Sequence, residues 1–169
     1  MVDKPALKYV LFAVFIIYLV LLSKYVLFTR MHTDPENYIS INHIKTSINR
    51  GLQKANVEPF KTIKLMYRGG RISTESQYKN LGGNLFGFVP LGIFLPLLFK
   101  RLRSFVVVIL VVFAVSLAYE LIQLCTGLGV FDIDDLILNT AGGMMGFILH
   151  FFAALIYGQP VAKTTVGRL

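Results

Sequence analysis

The chain has 169 residues, of which 55% are hydrophobic and only 15% charged, where a soluble domain carries about a quarter charged residues. Its apolar residues stand in blocks about as long as a bilayer is thick, which excludes a soluble core and predicts an integral membrane protein. The net charge of +8 flanks those blocks without any recognition motif, so it speaks for membrane orientation and anionic headgroups and excludes nucleic acid as a partner.

The first apolar block runs from about Leu7 to Phe28. No small-residue cleavage site follows it, so it is expected to be an uncleaved spanning helix rather than a secretory signal. Residues 29 to 80 are polar and mixed. Thr33-Asp34-Pro35-Glu36 has the form of a helix start, residues 62 to 67 alternate enough to be extended, and Gly69-Gly70 breaks them. A connection of this length is usually functional or disordered. The second span, about Gly83 to Phe99, holds Gly87, Pro90, Gly92 and Pro96. Proline removes a backbone donor and kinks a helix, so this span is expected to bend and to lie against protein that satisfies the freed carbonyls. The third and fourth spans cover about Phe105 to Leu124 and Leu136 to Tyr157. The expected fold is a single all-α membrane domain over residues 1–169, a bundle of about four transmembrane helices with a long polar first extracytoplasmic loop.

Lysine and arginine in short loops set orientation. Residues 100–104 contain three bases and residues 125–135 none, while the N-terminus adds Lys4 and Lys8. Both termini are therefore expected in the cytoplasm, with residues 29–80 and the aspartate-bearing link facing outward. The nine bases of residues 29–80 pull the other way, but they are spread along a long loop and count for little.

The polar residues within the spans gather at that outward end. Glu120 lies about one turn from the outer end of the third span, and an ionisable residue inside a span faces the bundle interior and has partners. Gln123, three positions on, shares its face. In Asp132-Ile133-Asp134-Asp135, either Asp134 or Asp135 is placed to cap the fourth helix, where amides and dipole favour a carboxylate. Asn139 stands one turn deeper than Asp135, and Gly142 and Gly146 continue that stripe as a small-xxx-small pair suited to close helix approach. Asn84 either caps the second span or faces Glu120 and Asp135 across the bundle. Tyr119 reads as an interfacial anchor and His150 as a packing or headgroup contact; no second histidine stands at zinc-ligand spacing. The single cysteine, Cys125, excludes an internal disulfide. Asp132, Asp134 and Asp135 are the candidate ligands for a hard divalent cation such as magnesium or calcium.

Four strings, in order, carry a family resemblance: Asn56-Val57-Glu58-Pro59-Phe60, Asn84 with Phe88-Val89-Pro90-Leu91-Gly92, Glu120-Leu121-Ile122-Gln123, and Asp132 to Gly143. Over about residues 54 to 150 the chain resembles the VanZ-like family. By that resemblance Asn56, Pro59, Phe60, Asn84, Pro90, Gly92, Glu120, Gln123, Asp132, Asp135, Asn139 and Gly142 match the family pattern. Asp134 stands where threonine also occurs. Gly129-Val130 stands where many members have an arginine, so no arginine beside the carboxylates is expected from that position. The resemblance implies a bacterial cell membrane and a link to teicoplanin resistance, not a reaction. Three functions are then expected in order of preference. The first is a binding protein whose outward pocket of Asn84, Glu120, Gln123, Asp132, Asp135 and Asn139 engages a lipoglycopeptide antibiotic or a lipid-linked cell-wall precursor, among membrane lipids. The second is an intramembrane enzyme on such a precursor, with Glu120 as candidate catalytic acid or base. The third is a small transporter or structural subunit, which an inverted repeat would favour; none is seen.

Overall fold

The computed structural model describes residues 5–28, 41–61, 64 and 74–157, without the side chains of residues 41–43 and 74–78. Among them lie six α-helices: α1 (Pro5–Phe28), α2 (Ile41–Lys54), α3 (Thr74–Gly87), α4 (Val89–Leu98), α5 (Phe105–Thr126) and α6 (Ile133–Ile156), with a 3₁₀ turn at Lys100–Leu102. By length and composition four segments suit a membrane crossing: Pro5–Phe28, Lys79–Leu98, Phe105–Thr126 and Ile133–Ile156. The all-α membrane bundle of four spans is thus as expected. Large apolar side chains such as Ile17, Val20, Leu110, Phe152 and Ile156 stay exposed, which is stable against hydrocarbon and not against water.

The structure departs from the expectation in three places. The second span begins before Gly83 and is two helices with a turn at Phe88 between them. Pro90, at the start of α4, has no N–H to continue the ladder from α3, so the break falls just before it. Tyr18 of α1 donates to the Gly87 carbonyl at the break, 2.8 Å, the protein contact that a bend inside a membrane requires. Helix α6 begins at Ile133, a turn earlier than expected, and its cap is Asp132, whose side chain accepts from the Asp134 amide; neither Asp134 nor Asp135 is the cap. Within residues 29–80 the structure adds α2, which lies against α5, where a Cβ on Gly51 would come within 2.5 Å of Leu124 Cδ1. The helix start at Thr33–Glu36 and the break at Gly69-Gly70 lie outside the described residues. Of the expected extended stretch only Lys64 is described, and it closes a helical turn, its N–H donating to the Phe60 carbonyl at 2.8 Å.

Helix α6 is the centre of the bundle and touches α3, α4 and α5. The contact is made backbone to backbone. A Cβ on Gly142 or Gly146 would lie 2.0 Å from the Leu85 or Val89 carbonyl oxygen, and one on Gly92 would lie 2.0 Å from the Gly143 oxygen. Small residues are what permit such approach where no hydrophobic effect drives helices together. Phe88, Leu91, Val108 and Val112 fill the space beside this seam, and α1 closes it with Phe12 and Phe15 against Phe94 and Phe99. Tyr119, expected as an interfacial anchor, turns its ring edge-on to Phe88 and pairs its hydroxyl with Ser23 Oγ at 2.7 Å.

Substituting Gly146→Ala forces a methyl into a carbonyl that cannot yield, and is expected to cost about 3 kcal/mol, the upper end for overpacking. Gly82→Ala, with nothing within 4 Å of the new methyl, is expected to be neutral or to gain up to about 1 kcal/mol of helix propensity. Thermal unfolding of the two purified variants checks the contrast.

Candidate functional site

Helix α1 ends, α5 ends and α6 begins at the same end of the bundle, since α5 and α6 are antiparallel neighbours and Gln123 of α5 reaches Val26 of α1. The polar residues collect there because each lies on the buried face of its helix. On α5, Val108, Val112, Ser116, Glu120 and Gln123 are the buried positions, a run of spacings four, four, four and three that keeps to one stripe. On α6, Asp135, Asn139, Gly142 and Gly146 do the same. The α5–α6 link turns at Gly127, whose left-handed φ of 74° ends α5 while its N–H returns to the Gln123 carbonyl, a glycine-specific stop.

Two layers result. The outer layer fastens the Asn56 segment to the start of α6. Asn56 pairs in parallel with Asp132: its N–H donates to the Phe131 carbonyl and its carbonyl accepts from the Ile133 amide, both at 2.9 Å. Its side-chain Nδ2 donates to Asp132 Oδ1 at 2.8 Å, an oxygen that also accepts from the Asp134 amide at 2.9 Å. The Asp132 amide donates to Glu120 Oε2 at 2.9 Å, and Asp134 Oδ1 accepts from the Phe60 amide. Phe60 holds φ 63°, a conformation rare for a bulky residue that persists only where surroundings impose it; the Asp134 contact is such an imposition.

The inner layer is a pocket lined by Tyr25, Val26, Asn80, Asn84, Glu120, Gln123, Asp135 and Asn139. Asn84 Nδ2 donates to Asp135 Oδ1, Gln123 Nε2 to the Val26 carbonyl at 2.9 Å, and Asn139 Nδ2 to Ser116 Oγ at 2.8 Å. These side chains are almost wholly buried: Asn84 is 6% exposed, Glu120 2%, Gln123 1%, Asp135 7% and Asn139 2%. The cavity volume is about 10 Å³, room for about one water molecule. Two acceptors within it, Gln123 Oε1 and Asn139 Oδ1, have no hydrogen-bond partner, which is uncommon for buried polar atoms and asks for a reason.

Of the expected site residues, Asn84, Glu120, Gln123, Asp135 and Asn139 meet in this pocket, and Asn84 faces Asp135 rather than capping a helix. Asp132 does not line it and instead caps α6 and holds Asn56. The three aspartates turn to different donors, and among the described residues no group of three histidines, cysteines, aspartates or glutamates is placed to hold a metal ion. Ser116, Tyr25, Asn80 and the Val26 carbonyl were not foreseen. Ser116 was legible, one turn below Glu120 on the same stripe; a main-chain carbonyl has no sequence signal. Gly129, where the resemblance led one to look for an arginine, packs against Gln123: a Cβ there would lie 3.0 Å from the Gln123 Cδ.

The Asn56–Asp132 contact is expected to give a coupling of about 1 kcal/mol in a double-mutant cycle of Asn56→Ala and Asp132→Ala. Thermal unfolding of the three variants measures it, and additivity would show that the segment is held by its backbone pairs alone.

A model of the VanZ/LLP1 family matches residues 15–155. Protein VanZ of Enterococcus faecium is 34% identical over 73 residues, covering 43% of this chain and 45% of that protein. The chain thus aligns with less than half the length of the curated relative it matches. No solved structure matches. The match to the family model runs from within α1 to the last turn of α6 and takes in every residue of the pocket, and on that extent this chain belongs to the VanZ/LLP1 family.

Proposed function

We propose that the protein is a membrane receptor-like binder whose pocket engages one group of a lipoglycopeptide antibiotic or of a lipid-linked cell-wall precursor, and that it acts in teicoplanin resistance in a bacterial cell membrane. The observation that carries this reading is the convergence of five almost wholly buried polar side chains from three helices, Asn84, Glu120, Gln123, Asp135 and Asn139, on one pocket, where the oxygens of Gln123 and Asn139 have no partner among the described residues. The second support is position. The pocket lies at the end of the bundle opposite Lys100 and Arg101, and basic short loops stay in the cytoplasm, so the pocket faces outward. The third is its surroundings. Val57, Phe60 and Phe86 are exposed by 70%, 48% and 64% on the segments that carry Asn56, the Asp134 contact and Asn84, an apolar margin suited to an acyl chain lying at the same depth. A water-sized cavity admits no whole antibiotic. The ligand inserts a single group, and its remainder lies along the margin and in the lipid.

Glu120 as an intramembrane acid or base draws on the same pocket, but its Oε2 is already held by the Asp132 amide, and binding is the reading the geometry favours.

Glu120→Gln and Asp135→Asn keep the shape of the pocket and alter its charge. Each is expected to weaken binding of teicoplanin or of a lipid-linked precursor to the purified full-length protein by at least tenfold, about 1.4 kcal/mol, and to lower the teicoplanin concentration that stops growth of cells expressing it. Wild-type binding and wild-type protection by both folded variants would remove the basis for this function.

A further inference from the structure

Four helices surround the pocket in the order α1, α3, α6 and α5, and a hydrogen bond ties each neighbouring pair. Asn84 joins α3 to α6 through Asp135, Asn139 joins α6 to α5 through Ser116, and Gln123 joins α5 to α1 through the Val26 carbonyl. These three contacts are buried, and the low local dielectric strengthens them. The fourth side, between α1 and α3, is different. Tyr25 closes it by donating from its hydroxyl to the Lys79 carbonyl at 3.2 Å, in an exposed position where water competes for both groups. Of the residues that line the pocket, only Tyr25 and Asn80, one on each side of this seam, are half-buried; the others are buried.

The aqueous end is shut. There the Asp132 amide holds Glu120 Oε2, Gly129 packs on Gln123, and Asn56 is fixed to Phe131 and Ile133 by main-chain hydrogen bonds. Opening the pocket from that end breaks backbone pairing. Opening it between α1 and α3 requires only that the Tyr25 ring turn about its own side-chain bonds. The closed ring rests in a notch at Gly83, where a Cβ would overlap its hydroxyl and its edge. Hydrocarbon lies outside. Leu21 and Phe28 share the face of Tyr25 on α1, and Phe86 shares that of Gly83 on α3; all three are large, apolar and exposed.

We propose that Tyr25 is the gate of the pocket, and that the inserted group of the ligand passes sideways between α1 and α3 out of the lipid rather than down from the water. The proposal rests on the reading of this pocket as a binding site. It gives the ligand its class: a membrane-resident molecule whose polar head slides in at the depth of Tyr25 while its chain stays in the bilayer.

The test is the rate at which two carbodiimides modify Glu120 and Asp135 of the full-length protein in nanodiscs, read site by site by mass spectrometry. Dicyclohexylcarbodiimide arrives from the lipid; ethyl-dimethylaminopropyl-carbodiimide arrives from water, and its action is reported by exposed Glu58. In the wild type the lipid-soluble reagent is expected to modify the pocket carboxyls slowly, and the water-soluble one to modify Glu58 alone of the three. Tyr25→Phe keeps the ring and loses its hydrogen bond, which raises the open population and the lipid-soluble rate about fivefold. Tyr25→Ala, and Gly83→Ala, which pushes the ring outward, lose the ring contact as well and gain at least about tenfold. Gly82→Ala, with nothing within 4 Å of its new methyl, leaves the rate unchanged. Should a larger substitution fail to fold, Tyr25→Phe against Gly82→Ala decides. Equal modification of Glu120 by both reagents, or rates in the Tyr25 and Gly83 variants no higher than in Gly82→Ala, overturns the proposal. These rates are read without antibiotic or precursor, so the broader reading fails separately: faster labelling of Tyr25→Phe together with undiminished ligand binding by Glu120→Gln keeps the gate and removes the function.

Discussion

The close passage of α6 past the bent α3–α4 pair is the constraint on which the rest depends. Gly142 and Gly146 lie under the Leu85 and Val89 carbonyls with no room for a methyl, and Gly92 returns the contact at Gly143. A seam made of backbone is unforgiving in register, because no side chain can adjust to take up a slip. Once Gly142 is set beneath Leu85, Asp135 stands about two turns nearer the start of α6, and Asn84, next to Leu85, meets it. The polar pairing is therefore a consequence of the apolar seam. The turn at Phe88, which Pro90 requires, lets α3 and α4 each follow α6 for its own stretch.

Above the seam, the carboxyl groups are held largely by main-chain amides. Asp132 takes the Asp134 amide, Glu120 takes the Asp132 amide and Asp134 takes the Phe60 amide. Backbone donors cannot move away without unfolding a turn, so these contacts fix geometry as well as satisfy charge. The same contacts explain why a loop some 75 residues earlier in the chain belongs to this end of the bundle: Asn56 is stitched to the start of α6 by backbone hydrogen bonds with Phe131 and Ile133 and by one from its side chain to Asp132. The outer layer closes on its own donors in this way, whereas in the inner one the oxygens of Gln123 and Asn139 have no partner among the described residues.

Much of this was legible in the sequence. Four apolar blocks of bilayer length have no soluble alternative, and the helix period alone puts Glu120 with Gln123, and Asp135 with Asn139 and the glycines, on shared faces. What the period does not carry is contact between elements. Tyr119 near a helix end has the signature of an interfacial anchor, and only the proximity of Ser23 and Phe88 makes it an internal residue. The cap of α6 was misplaced by two or three positions because three aspartates in four residues offer equivalent caps, and the choice of Asp132 is made by its partners Asn56 and Glu120. The polar stretch containing α2 hid an amphipathic helix that packs on α5, with Gly51 allowing the approach.

The location of the pocket bears on how such a site can be selective at all. Near the end of a span the cost of an ionisable residue falls from that at the bilayer centre, so Glu120 and Asp135 are affordable there with modest help, while burial still strips water from them and strengthens each contact they make. A ligand held mainly by its acyl chain in the lipid phase gains most of its residence from the membrane and little discrimination, since one hydrocarbon tail resembles another. Discrimination has to come from the head that enters the protein. On the binding function proposed above, a cavity of about 10 Å³ would discriminate by exclusion, accepting one compact group and rejecting its larger analogues whatever the tail attached to them. The backbone seam that sets the register of α6 thus also keeps the pocket small, and the tightness of the packing sets the size of any group that could enter it.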